Sequence, residues 1–332
     1  MASRAAGNTY RPFVELMNLE TINKNTFRST AQPFCPGGDH PRSIGRAYGG
    51  HVYAQAAWAA AQTVPEGFVL HNATGWFLLA GLLTVPFVYK VHSIRDGRSY
   101  CTRIVNVTQA KGKGICFTCT CSFKKDEASP VEVQESVDLW EKYACVLKDK
   151  KPEDFNEAPG MDVPFYWELL RNGHPNDKFP GLKTTKVDMK PYNEPRRALD
   201  RRQLIFYKTI GDAPLSLNLQ MCAHLYASDR NSLYIAANHL GIGDSWTQMG
   251  SLAHTVVFHA PLEEFQFRQQ VPSSNPQGEW FCMEDRTDRA SAGRSTFHSQ
   301  VWSPKGTHIM TIMQDGMVRV GKSQSIKKET KL

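Results

Sequence analysis

The 332 residues are 41% hydrophobic and 11% aromatic with a formal net charge of +7, the balance of a folded globular chain with room for one large domain or two ordinary ones. Apart from the cluster Arg196, Arg197, Arg201 and Arg202 and a Lys-rich tail, the basic residues are scattered, which excludes the stripe or module of a nucleic-acid binder. The most apolar run, residues 75–89, is too short and too interrupted by Gly81 and Pro86 to span a bilayer, and MASRAAGNTYRPF has no apolar core to serve as a secretory signal.

In chain order, TFRST reads as a first strand, and Pro36, Gly37, Gly38 and Pro41 make residues 35–48 a loop. Gly49-Gly50 then opens the Ala-rich HVYAQAAWAAAQTVP, a helix ended by Pro65. Its apolar face is too broad for a surface helix, which predicts burial in the curve of a sheet. Four strands follow at about 70–79, 84–94, 99–109 and 114–123, with hairpin turns at Asp96-Gly97 and Gly112–Gly114. One helix followed by antiparallel strands is an α+β pattern.

Residues 124–200 are charged and Pro-containing and read as a connection, with a short helix at Val137–Val146 and an apolar piece, MDVPFYWELL, to pack against one half. The first pattern then returns as a strand at Leu204–Tyr207, a helix at Asp229–Leu240 and a strand at Ser251–His259. The run from Gly97, GRSYCTRIVNVTQAKGKGICFTCTCSF, echoes GRSTFHSQVWSPKGTHIMTIMQDG from Gly293, and this alignment sets Gln314 against Cys121. The expected organisation is an N-terminal domain over 1–125, a connection over 126–199, a C-terminal domain over 200–322 that carries the active site, and a flexible tail over 323–332.

Eight cysteines are present; Cys119 and Cys121 fall on one face of a strand, and the absence of a matching second ligand pair favours buried reduced thiols over a zinc site. Asp229 stands where an extended segment turns into a helix, so on residue type alone it is a cap or a base. His254 and His259 read more readily as hydrogen-bonded structural histidines than as ligands. There is no G-x-S-x-G, no H-E-x-x-H and no P-loop spacing in KGKG, so neither a cofactor nor a metal is called for.

LETINKNTFRS, YGGHVYAQAAWAAAQTVP and SIRDGRSYCTRIVNVTQAKGKGICFTCTCSF resemble the first half of the acyl-CoA thioesterase II family, close to its peroxisomal members. YASD, SLAHTVVFHAP and MQDGMVRV resemble its second half, so that the likeness spans about residues 14–125 and 200–320. The resemblance implies a double hot-dog, two helices each wrapped by an antiparallel sheet, and hydrolysis of acyl-CoA to a free acid and coenzyme A. It also implies that Asp229, Ser251 and Gln314 order the attacking water. Gly49 and Gly50, followed by His51, are the candidate substrate-binding residues, because glycine lets a ligand approach the N-terminus of a helix. A homo-oligomer is implied by analogy.

The sequence departs from the family where Ala253 replaces an Asp, Leu79-Ala80-Gly81 replaces Arg-Pro-Gly, and Val257 replaces Trp or Tyr. These departures leave two other readings open: a non-catalytic acyl-thioester binder, or a hydratase or dehydratase using His51 or His254. Thr330-Lys331-Leu332 resembles the S-K-L peroxisomal address, with cytoplasm as the alternative location.

Overall fold

The computed structural model describes residues 3–214, 216–267 and 279–321. A single antiparallel sheet dominates it. The strands are β1 (Leu19–Asn23), β2 (Thr26–Ser29), β3 (Phe68–Phe77), β4 (Phe87–Asp96), β5 (Tyr100–Gln109), β6 (Ile115–Lys125), β7 (Leu182–Lys186), β8 (Gln203–Thr209), β9 (Trp246–Phe258), β10 (Phe281–Arg286), β11 (Ala290–Ser291), β12 (Arg294–Trp302) and β13 (His308–Val320). Their spatial order is β1-β2-β4-β5-β6-β3-β9-β13-β12-β10-β8-β7, with β11 beside β12.

The Ala-rich helix α1 (Gly49–Ala61) lies in the curve of β3–β6. Its small side chains let the backbone sit deep, and ten of its residues are buried. Gln55 satisfies its buried amide by donating to Leu16 O at 2.9 Å and accepting from Tyr89 OH at 2.6 Å. After α2 (Pro164–Arg171), the second half places α3 (Leu217–Ser228) and α4 (Ser232–His239) in the same role, α4 against β9, β10, β12 and β13 and α3 against α1. This is the double hot-dog.

The halves meet where β3 pairs with β9, Thr74 opposite Thr255, their hydroxyls 3.2 Å apart. A two-fold through that pair carries Ala73 onto His254. Their partners on the neighbouring strands are Cys121 and Gln314, so the internal echo places these two at equivalent positions. Cys119 and Cys121 share a face, with sulfurs 3.7 Å apart, and seven of the eight free thiols are buried, Cys145 being exposed.

Several expectations need correction. A strand, β1, precedes the predicted first one. The segment leading to Asp229 is helical, not extended: nine of the twelve residues of LNLQMCAHLYAS are buried, polar ones included, and a helix buried all round shows no amphipathic period to read. The helix expected over Asp229–Leu240 begins only at Ser232, because Asn231 adopts the left-handed conformation (φ 60°) and breaks α3 from α4.

The region read as a connection is folded onto the second half. It supplies β7, a turn at Leu139–Lys142 capped by Asp138 Oδ1, a turn at Ala144–Leu147, and α2. MDVPFYWELL packs where expected: Met161, Val163, Phe165 and Tyr166 join Leu233, Tyr234, Met249 and Val318. The tail, with Thr330-Lys331-Leu332, lies outside the described residues.

Candidate active site

The site forms at the break between α3 and α4, where the N-terminus of α1 meets the second half. Asp229 caps the end of α3, and its carboxylate points at α1: Gly50 N–H donates to Oδ2 at 2.9 Å. The aspartate thus caps the helix of the other half, where exposed N–H groups and the helix dipole favour a negative charge. Gly49 must be glycine, since a Cβ there would lie 2.7 Å from Asp229 Oδ2 and 2.8 Å from the Phe77 ring.

The second carboxylate oxygen meets the sheet. Gln314 Nε2, on β13, donates to Asp229 Oδ1 at 3.0 Å and to Ser251 Oγ at 2.6 Å. Ser232 adds a hydroxyl to Oδ1 at 3.2 Å. The three residues singled out in the sequence therefore touch one another. What brings Ser251 in is a β-bulge. From the inward-facing His254, strict alternation would turn Ser251 outward, three residues away. The register with β13 slips between Asp315↔Ala253 and Gly316↔Ser251, which returns Ser251 to the inner face. Its partner Gly316 leaves room for α4; a Cβ there would lie 2.3 Å from Leu233 Cδ2.

Asp229, Ser232, Ser251 and Gly49 line a cleft of about 310 Å³, with Gln314 buried behind them. Its wall is largely apolar, with Ile44, Phe77, Leu79, Leu233, Met249 and Leu252, while Arg46 contributes a cation. Burial raises the Asp229 pKa to about 6, against the lowering hydrogen bonds of Gln314, Gly50, Ser232 and Ser251. Such a carboxylate is ionised at neutral pH yet basic enough to accept a proton.

The remaining candidates divide. Gly49 lines the cleft, and Gly50 holds the carboxylate through its N–H. His51 and His254 are both fully buried, outside the cleft wall, and burial lowers each pKa to about 3. Since His254 is therefore neutral, its 3.9 Å approach to Asp229 is not an ion pair; its Nε2 meets Ser228 Oγ at 3.0 Å. His259 instead meets Thr311 Oγ1 at 3.0 Å.

Of the departures, Ala253 sits opposite Trp76 on β3, and alternation turns it to the outer face, away from Gln314. Val257 is likewise on the outer face, 36% exposed, whereas Leu79 and Ala80 line the cleft.

Sequence reasoning missed Ser232, which the break after Asn231 delivers to the carboxylate, and Arg230. Arg230 is buried, donates to Ala158 O at 3.0 Å and Pro159 O at 2.9 Å, and lies over the Phe179 ring at 4.2 Å. It ties the connection to the site. YASDRNS carries the only signal for this, an Asn tolerant of positive φ beside a charged pair.

Residues 39–124 match the family model of the acyl-CoA thioesterase N-terminal domain, and residues 209–318 match that of the C-terminal domain. Acyl-CoA thioesterase 2 of Haemophilus influenzae is 26% identical over 320 residues, covering 92% of this chain and 96% of that protein. Mouse acyl-coenzyme A thioesterase 8 is 27% identical over 321 residues, covering 92% and 88%. The crystal structure of an acyl-CoA thioesterase II from Mycobacterium marinum superposes with a TM-score of 0.66 at 21% identity, covering 94% of this chain and 98% of that one, and so shares the fold. With both halves matched in order, the chain belongs to the acyl-CoA thioesterase II family of thioester hydrolases.

Proposed function

We propose that the protein hydrolyses an acyl-CoA to a free acid and coenzyme A through a water held between Asp229, Ser251 and Gln314. The observation that carries this reading is the contact of the three side chains, Asp229 and Ser251 on the wall of a largely apolar cleft and Gln314 buried behind them, around a carboxylate whose burial raises its pKa to about 6. A thioester carbonyl needs no covalent nucleophile. Ionised Asp229 takes a proton as the water oxygen bonds to the carbonyl carbon; collapse of the tetrahedral intermediate breaks the C–S bond, and the thiolate leaves and is protonated. General base catalysis of this kind is typically worth about 10²–10⁴-fold. Gln314 donates to both Asp229 and Ser251, which fixes the carboxylate and leaves the serine hydroxyl proton for the water or substrate. Because Gly50 N–H is engaged by the base, Gly49 is the stronger candidate for contact with the substrate carbonyl.

The apolar wall, with Leu79 where the family carries a cation, suits a hydrocarbon acyl chain, and Arg46 suits a phosphate of coenzyme A. The test is thiol release from short- to long-chain acyl-CoAs; folded protein that binds these thioesters and releases no thiol from any of them overturns the reading. We take the relatives named acyl-coenzyme A thioesterase 8 and Thr330-Lys331-Leu332 as support for a peroxisomal location, checked by imaging the chain with and without its last three residues. The exposed apolar face bearing Trp76, Val257 and Met313 supports self-association, which light scattering would measure. The division at 125/126 and 199/200 is checked by limited proteolysis, with the first cuts expected in the exposed stretch 126–136.

A further inference from the structure

Between β3 and β4 the chain runs LLAGLLTVP, residues 78–86, a loop without a charge. Leu78, Leu79, Ala80 and Gly81 line the cleft that holds Asp229. Yet Leu78 is 54% exposed, Leu79 44% and Leu82 39%, so the same loop carries the apolar wall of the cleft out to the surface. That wall starts beside the base. The Phe77 ring lies where a Cβ on Gly49 would meet it at 2.8 Å, and the same Cβ would lie 2.7 Å from Asp229 Oδ2. From Phe77 the chain continues directly into Leu78.

Exposed leucines on a free loop would fold inward, but this backbone is pinned. Leu78 and Leu79 N–H both donate to Cys116 O, at 2.9 and 3.1 Å, and Ala47 N–H donates to Gly81 O at 3.0 Å. The buried Gln109 accepts from Leu82 N–H at 2.8 Å and donates through Nε2 to Leu82 O at 2.9 Å and Val85 O at 2.5 Å. Gly81 packs so closely that a Cβ would stand 2.9 Å from the Phe87 ring and 3.0 Å from Ala47 Cβ. A buried amide therefore holds an apolar strip out in water, and a contiguous strip of this kind marks a binding surface.

The pantetheine arm of coenzyme A carries amides and its far end phosphates, and both need hydrogen-bonding or charged partners. The N–H groups of Leu78, Leu79 and Leu82 and the carbonyls of Gly81, Leu82 and Val85 are engaged within the fold, and the loop has no charge to offer. A hydrocarbon asks for neither. We propose that this loop seats the distal methylenes of a long acyl chain, with Leu78, Leu79 and Leu82 as specificity-determining residues. The proposal rests on the acyl-thioester reading above for its ligand: the cleft takes the thioester and the first carbons, and the strip takes what extends past the mouth. A methylene fully removed from water is worth up to about fourfold in affinity, and one covered on a single side about twofold.

The test is isothermal titration of the full chain with S-butyl- and S-hexadecyl-coenzyme A, thioethers that cannot be hydrolysed, below the micelle concentration of the longer one. Wild type, Leu79→Arg and Leu78→Ser/Leu82→Ser are compared. Wild type is expected to bind the hexadecyl compound at least about a hundredfold more tightly than the butyl one. Each variant should shrink that ratio at least about tenfold at an unchanged unfolding midpoint. A ratio that the variants leave intact overturns the proposal, because the strip then touches the coenzyme or nothing. A wild-type ratio near one, or failure to bind either thioether, overturns it as well. So does light scattering in which the variants dissociate an oligomer, since a second copy of the chain would then cover the strip. None of these readouts needs turnover. Protein that shows the expected ratios yet releases no thiol from hexadecanoyl-CoA keeps this proposal and loses the hydrolase reading.

Discussion

Replacing Asp229 by Asn separates the energetic cost of the site from its use. In the folded protein burial raises the carboxylate pKa from 3.8 to about 6. Folding therefore favours the protonated form, and the ionised form destabilises the native state above that pH. A shift of about two units corresponds to about 3 kcal/mol of destabilisation at pH 8, fading to about 0.5 kcal/mol at pH 4 as the group protonates in the folded and then the unfolded chain. The Asn side chain is neutral at both pH values and nearly isosteric. Its amide still accepts from Gly50 N–H, but its NH2 meets the donating Gln314 Nε2 unless that amide turns over. Gln314 Oε1 has no partner, so the turn costs little at that atom. Allowing about 1 kcal/mol for an altered hydrogen bond, Asp229→Asn is expected to gain about 2 kcal/mol by urea unfolding at pH 8 and nothing at pH 4. Thiol release from the best acyl-CoA at pH 8 should fall by about 10²–10⁴-fold. A variant that keeps more than a tenth of the activity refutes the general base. One that loses equal stability at both pH values shows that the N-terminus of α1 stabilises the charge more than burial opposes it.

Four further outcomes follow from the same geometry. In wild type, log kcat/KM should rise with unit slope through acid pH and level off near pH 6, because only ionised Asp229 accepts the water proton; a flat profile from pH 4 to 8 contradicts this. Gln314→Glu puts a second carboxylate against Asp229 and Ser251, so the acid limb should move above pH 6 and activity at pH 7 should drop at least about tenfold, read from the same profile. Gly316→Ala drives a methyl into Leu233 and should cost about 1–3 kcal/mol in denaturant unfolding, with reduced kcat. Glu284 is buried under the connection, bound to Lys142 Nζ at 2.6 Å, Tyr143 OH at 2.5 Å and Trp302 Nε1 at 3.1 Å; Glu284→Ala should cost about 3–5 kcal/mol in the same assay and expose residues 126–199 to protease.

The first half was legible because its signals are local. Gly49-Gly50 before an Ala-rich run marks a buried helix, and β-branched alternation with Asp-Gly and Lys-Gly turns marks β4–β6 to within a few residues. α3 was hidden because burial on every side erases the period that separates helix from strand. β7 was hidden in a charged, Pro-containing segment whose strand character comes from pairing with β8, a tertiary effect.

The active site divides along the same line, between what residue type carries and what register carries. Asp229, Ser251 and Gln314 could be singled out by family resemblance, but no periodicity predicted that they would meet. Ser251 stands an odd number of residues from the inward-facing His254, and a regular strand would have sent its hydroxyl to the far side of the sheet. Only the bulge at residues 251–253, where β9 stops pairing with β3 at Ala253, turns it inward. Ala253, next to His254 and before the slip, faces outward by plain alternation. The substitution that invited doubt about catalysis therefore lies across the sheet from the base. A carboxylate restored there by Ala253→Asp would be separated from Asp229 by the backbone of β9 and should shift the acid limb of the pH profile by less than about half a unit, as expected for a solvent-facing charge. A larger shift would mean that residue 253 does not face away from Asp229 and that the alternation from His254 to Ala253 is broken.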